Sequence, residues 1–186
     1  MNISRRLLLL TTLAAGCASS GTEAVRSDAA RPEAQQEVQQ EAQQARQQFE
    51  QVRALVGEWD MEGADADGPE VVYAETAAGS AVVETLFPGA AHEMVTVYFL
   101  DGDHLTVTHY CAAGNQPTLV AVPAVGDRID FEFLRCSNLA SPLDVHMHTL
   151  ALELESADRV TARWTTWDGG EPAGDTVFTL SRRPIL

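Results

Sequence analysis

Two stretches of this 186-residue chain carry side chains able to do chemistry. The first is Val145-His146-Met147-His148, which runs on into Thr149-Leu150-Ala151-Leu152-Glu153-Leu154. On a strand, residues i and i+2 share a face roughly 6–7 Å apart, so both imidazoles can hold one metal ion. Sharing parity with Leu150, Leu152 and Leu154, the two rings are expected to project inward. The second stretch, 80–117, contains Glu93, His109 and Cys111 together with His92 and His104. If His109 or Glu93 faces the later pair, three protein ligands and an open position follow, the layout of a catalytic or labile zinc site. In that reading His109, His146 and His148 bind the metal and Glu93 is a general base. Asn115 and Asn138, in flanking loops, are placed to orient an imidazole by hydrogen bonding. The competing reading needs no metal: the same groups satisfy one another and line a ligand cavity.

These residues must be positioned by strands. Segments 92–100 and 104–112 alternate with period two and are rich in Val, Thr, Tyr and Phe. Asp101-Gly102-Asp103 between them is a hairpin turn, and its length sets the register. A three-residue loop puts Val95, Val97 and Phe99 on one face with Leu105 and Val107, and Thr96 and Tyr98 on the other. A two-residue loop places the two apolar rows on opposite faces. Burial selects the three-residue loop, which turns Glu93, His109 and Cys111 inward.

From residue 55 onward strand and turn signals alternate at short spacing, with strands expected at 55–62, 70–77, 80–87, 92–100, 104–113, 117–123, 127–134, 146–155, 158–167 and 174–182. Such a meander closes into an antiparallel up-and-down barrel, so the chain is read as an all-β domain of about ten strands over 55–186. The long link 135–145 is expected to fold over one mouth. Ahead of the barrel, 33–54 is built of helix formers, with Val38, Ala42, Ala45, Phe49 and Val52 spaced as one face. That seam is too short for a coiled coil and reads as a helix capping one barrel end.

Arg5-Arg6, Leu7 to Leu10 and Ala14-Ala15-Gly16-Cys17 form a charged, an apolar and a small-residue region, the pattern of an export signal over 1–16. It resembles a bacterial lipoprotein signal, which implies lipidation of Cys17, a tether over 17–32 and an envelope-anchored protein facing the periplasm. Arg5-Arg6 also resembles a twin-arginine signal. Cleavage there leaves ten arginines against 27 acids, a net charge of −17. That balance argues against nucleic acid and anionic lipid as partners and leaves the anchor as the membrane contact. All basic residues are arginine, which excludes a lysine P-loop and Schiff-base chemistry. Cys111 and Cys136 either form a disulfide or remain two thiols, and the spacing does not choose.

Gly57-Glu58-Trp59 in the first strand after a helix resembles the calycins, which include lipocalins, fatty-acid-binding proteins and nitrobindin-like haem barrels. The stretch 55–183 is similar to bacterial lipocalin-like domains of no assigned activity, through ETLFPGAAHEMV, THYCAAGNQP, NLASP and HMH. The resemblance implies a calycin-like barrel with Trp59 plugging its closed end. A haem would have to use His146 or His148, because no histidine follows them. The expectation is a monomeric module binding a small apolar or amphipathic molecule, its site drawn from Glu93, His109, Cys111, Asn115, Asn138, His146 and His148. A zinc or haem barrel and a structural envelope lipoprotein are the alternatives. No catalytic residue is assigned.

Overall fold

The computed structural model describes residues 30–64, 67–123 and 126–184. The expected signal and most of the tether, Cys17 included, lie outside those residues. One helix, α1 (Ala30–Arg53), is followed by β1 (Gly57–Met61), β2 (Val71–Thr76), β3 (Ala81–Leu86), β4 (Met94–Asp101) and β5 (His104–Tyr110). Then come β6 (Gln116–Ala121), β7 (Arg128–Ser137), β8 (His146–Ser156), β9 (Arg159–Asp168) and β10 (Glu171–Arg182). Every strand pairs antiparallel with its sequence neighbour, and β1 pairs with β10 to close the barrel. This is the ten-strand up-and-down barrel with one N-terminal helix that the alternation implies, an architecture consistent with a calycin-like fold.

One barrel end carries the turns after β2, β4, β6 and β8 and the entry from α1. It is sealed. Ala45, Phe49, Val52 and Leu55 are buried, α1 lies against β4 and β5, and Gln48 Nε2 donates to the Val122 carbonyl at 2.9 Å. Only the last turns of α1 do this work; residues 34–41 are exposed. Beneath the helix, Trp59 is wholly buried and its indole N–H donates to Leu55 O at 2.8 Å.

The seam between the first and last strands is held there by Arg182. Trp59 and Arg182 are cross-strand partners, and the guanidinium sits 4.3 Å above the indole ring. The same guanidinium donates to Ala54 O at 2.7 Å, Val56 O at 2.9 Å and Ala157 O at 2.9 Å. One side chain of β10 therefore joins carbonyls beyond α1, ahead of β1 and in the turn before β9. Gly57 makes room for it. Its φ of +140° suits only glycine, and a Cβ there would stand 2.9 Å from the Arg182 guanidinium.

The interior is filled by Tyr73, Tyr98, Leu105, Leu119, Ile129, Phe131, Leu150, Leu152 and Leu180, all essentially inaccessible. Each such side chain contributes about 1.5–3 kcal/mol through burial.

The β4–β5 register differs from the sequence expectation. Asp101 pairs with His104 across a two-residue turn, Gly102-Asp103, in which only Gly102 has positive φ, at +64°. That fits a type II′ hairpin, whose twist matches the strands. Thr96 and Tyr98 are consequently the fully buried residues of β4, while Val95, Val97 and Phe99 are only half-buried. His109 faces inward as expected; Glu93 does not.

Arg182→Ala should destabilise the fold by about 2–4 kcal/mol, the sum of charge-assisted carbonyl bonds and the cation–π contact. Arg182→Lys should recover less than half of that, since an ammonium cannot span three carbonyls and the ring. Urea denaturation of the three proteins checks both values.

Candidate functional site

Inside the barrel a polar group occupies the centre of the wall formed by β2, β3 and β4. Val82, Glu84 and Leu86 alternate inward on β3, and Glu84 is only 1% exposed. Tyr73 donates to one carboxyl oxygen at 2.7 Å and Tyr98 to the other at 3.1 Å. Burial pushes the Glu84 carboxyl up, opposed by the hydroxyls of Tyr73, Thr96 and Tyr98. Burial, reinforced by Glu84, raises both tyrosines well above their ordinary value. Thr96, the cross-strand partner of Glu84, also lies 2.8 Å from His109 Nδ1. The two share one hydrogen bond, whose direction follows the tautomer of the His109 ring. His109 packs against Trp164, ring centroids 4.8 Å apart, and burial lowers its pKa to about 4. The hydroxyls of this group are partnered within it, which gives the network a structural character.

The open end has a different chemistry. β7 and β8 pair only from Arg128–Phe131 to Leu150–Glu153. Beyond Phe131 they part: β7 runs on to Ser137 bonded to β6, while the first residues of β8 bond to β9. The link expected over 135–145 begins only after Ser137, where β7 ends, and residues 138–145 cover the gap between the two strands. Asp144 accepts the amides of Ala140 and Ser141 at 2.8 and 2.9 Å, folding the link into a turn. Asn138 Nδ2 donates to Gly114 O at 2.6 Å, Asn115 Nδ2 to Val145 O at 2.8 Å and Gly169 N to Leu143 O at 2.9 Å. Three anchors thus fix the cover to its neighbours.

A cavity of about 400 Å³ lies in this cleft, walled by Phe133, Leu139, Pro142 and Trp167 with Cys136, Ser141, His146 and His148. His146 Nδ1 is 2.7 Å from the Asp144 carbonyl, and His146 Nε2 is 3.0 Å from His148 Nδ1. A carbonyl only accepts, so His146 carries its proton on Nδ1 and takes the His148 Nδ1–H on Nε2. The His148 ring stacks on Phe133 at 4.4 Å and 11° and meets Trp167 at 3.8 Å and 33°. Burial, with His146 close by, lowers the pKa of His148.

The structure gathers most of the expected residues at this end and assigns several of them other work. A bulge at His148 shifts the register between Met147 and Thr149. It breaks the parity with Leu150 and Leu152, so Met147 packs on the core and the two histidines occupy the cleft. His109 is committed to Thr96 and Trp164, and among the described residues no three His, Cys, Asp or Glu side chains form a metal-ligand group. The expected His109–His146–His148 set is therefore not assembled. Glu93 is exposed and accepts the Gly89 amide at 2.6 Å, outside any general-base position. Asn115 and Asn138 hold backbone carbonyls instead of an imidazole. Cys111 and Cys136 are free thiols. They lie at the ends of β5 and β7 with β6 between, and two strand spacings, roughly 9–10 Å, exceed the roughly 7 Å limit for a disulfide. Burial raises the Cys136 thiol, which keeps it protonated.

Sequence reasoning passed over Glu84, Tyr73, Tyr98 and Thr96, and over Phe133 and Trp167 as cavity walls. A signal existed for Glu84, in its parity with Val82 and Leu86. The aromatic walls had none, because the parting of β7 from β8 has no local mark. No protein-family model matches this chain, and no curated protein matches it in sequence.

Holding His109 neutral has a cost in acid. Unfolded, the imidazole titrates near 6.5, and folded near about 4, so the unfolded chain binds more proton between those values. Stability from this group is full above pH 6.5 and falls as pH drops toward 4, by about 3 kcal/mol in total. The stability difference between wild type and His109→Gln should shrink by that amount from pH 7 to pH 4, read from denaturation curves at each pH. Glu84 is common to both proteins and cancels.

Proposed function

We propose that this protein is an envelope-anchored binding barrel that takes a small apolar molecule into the cleft between β7 and β8. The observation that carries the reading is the cavity itself. Its volume is about 400 Å³, its walls are aromatic and aliphatic, and its paired imidazoles are already oriented by hydrogen bonds. Ligand sites have this size and this balance of apolar wall with few fixed polar groups. The barrel interior is a less suitable receptor, since aromatic and aliphatic side chains fill it around Glu84. The cleft is also held open by covalent connectivity and anchored loops, so binding needs little reorganisation.

Neutral N-phenyl-1-naphthylamine should bind with micromolar affinity and brighten on entry. Phe133→Ala and Trp167→Ala should each weaken it about tenfold, equivalent to one aromatic wall contact, without altering the far-ultraviolet dichroism. Unchanged dye affinity in both variants would place the dye elsewhere and defeat the cleft as the site.

Anchoring rests on the segment from Arg5 to Cys17, with its basic, leucine-rich and Ala-Ala-Gly-Cys regions. Expressed as the full chain in a bacterium fed radiolabelled palmitate, the protein should incorporate label and partition with membranes, and Cys17→Ala should lose both properties. Label retained in that variant would refute lipidation at Cys17.

A further inference from the structure

The cleft offers its ligand one edge of one imidazole, and that edge restricts the ligand's chemistry. Phe133 and Trp167 each lie within 4.4 Å of the His148 ring centroid, too close for both to share one face. The ring is therefore sandwiched. Its Nδ1–H is committed to His146 Nε2, and His146 is committed in turn to the Asp144 carbonyl. What the cavity meets is the Nε2 edge of His148, and among the described residues no donor occupies that atom. A neutral imidazole presents a lone pair there.

We infer that the cleft selects a neutral, flat, apolar molecule bearing a hydrogen-bond donor, of the phenol class, which gives its proton-bearing oxygen to Nε2 of His148. This rests on the cleft being the ligand site. The relay favours it, because each donated hydrogen bond polarises the next and the chain ends on a carbonyl that cannot return a proton. The surroundings supply no charge that would convert His148 to a cation. On its own strand the neighbour is His146, whose Nε2 accepts from His148, and on β7 it is the protonated thiol of Cys136. Phe133 and Trp167 are uncharged, and the Asp144 carboxylate is turned into the amides of Ala140 and Ser141. A carboxylate ligand would set lone pairs against the Nε2 lone pair, and the protein's net negative charge opposes it further. An ether or hydrocarbon of equal shape would leave Nε2 buried without a donor.

Three probes of one shape separate these cases: 2-naphthol, 2-methoxynaphthalene and 2-naphthoate, titrated calorimetrically into the purified full chain at pH 7.5. The expected order is 2-naphthol about tenfold tighter than the methyl ether, with 2-naphthoate weakest, a difference set by one buried hydrogen bond. In His148→Phe, which keeps the aromatic sandwich, naphthol and ether should bind alike. Equal binding of naphthol and ether to wild type, or preference for 2-naphthoate, overturns the donor inference while leaving the cleft as an apolar site. Naphthol preference persisting in His148→Phe also overturns it. If none of the three binds, the small-ligand reading itself fails. Should His148→Phe misfold, His148→Asn offers a second variant whose amide can still accept, and it should retain part of the naphthol preference.

Discussion

A carboxyl group shut inside a barrel must be given donors, and that requirement organises much of this molecule. Among the described residues Glu84 has no cation within reach of a hydrogen bond and is met instead by Tyr73 and Tyr98. To bring those hydroxyls inward, β2 and β4 must flank β3 in the observed register, with Tyr73 opposite Glu84 and Thr96 on its other side. The β4 parity then passes through the Gly102-Asp103 turn to β5, where it turns His109 inward onto Thr96 and Trp164. A one-residue shift of β3 against either neighbour would take a tyrosine donor from the buried carboxyl, a penalty of about 1–3 kcal/mol. Polar satisfaction sets the register where hydrophobic area alone would have chosen differently.

The two ends divide the remaining tasks. At the sealed end Arg182 reaches the carbonyls after α1 and the turn before β9 while lying over Trp59, so closing the barrel and docking the helix are one event. At the open end the ladder between β7 and β8 stops early, and backbone anchors from Asn115, Asn138 and Gly169 replace the missing strand pairing. An antiparallel barrel that must stay closed can tolerate such a parting only because β6 and β9 each hold one of the two strands. The parting yields a shaped cavity in the wall without emptying the core.

Electrostatics keep the two polar clusters distinct in character. The Glu84 network is self-contained: each hydroxyl and His109 Nδ1 has a partner, and burial suppresses the imidazolium. The His146–His148 relay is open at one end, with its last nitrogen unspent and set among aromatic walls. That asymmetry is what the proposed ligand site in the cleft rests on. It also explains why three histidines that suggest a metal site in one dimension serve two purposes in three.

The barrel itself was legible in the sequence. Period-two alternation and the turn residues determine ten antiparallel strands, and helix formers at helical spacing determine α1, because those are local properties of backbone and side-chain parity. The same local logic placed His109 inside and brought Asn115, Asn138, His146 and His148 to one end. It could not decide the β4 register, since choosing between Val95-Val97-Phe99 and Thr96-Tyr98 depends on Glu84, which lies one strand away opposite Thr96. Nor could it foresee the bulge that frees His148 from the row of Leu150 and Leu152, or the separation of Cys111 from Cys136 by β6. Those outcomes belong to tertiary structure. Which polar group finds a partner, and where two strands part, are settled by contacts between segments that no single segment encodes.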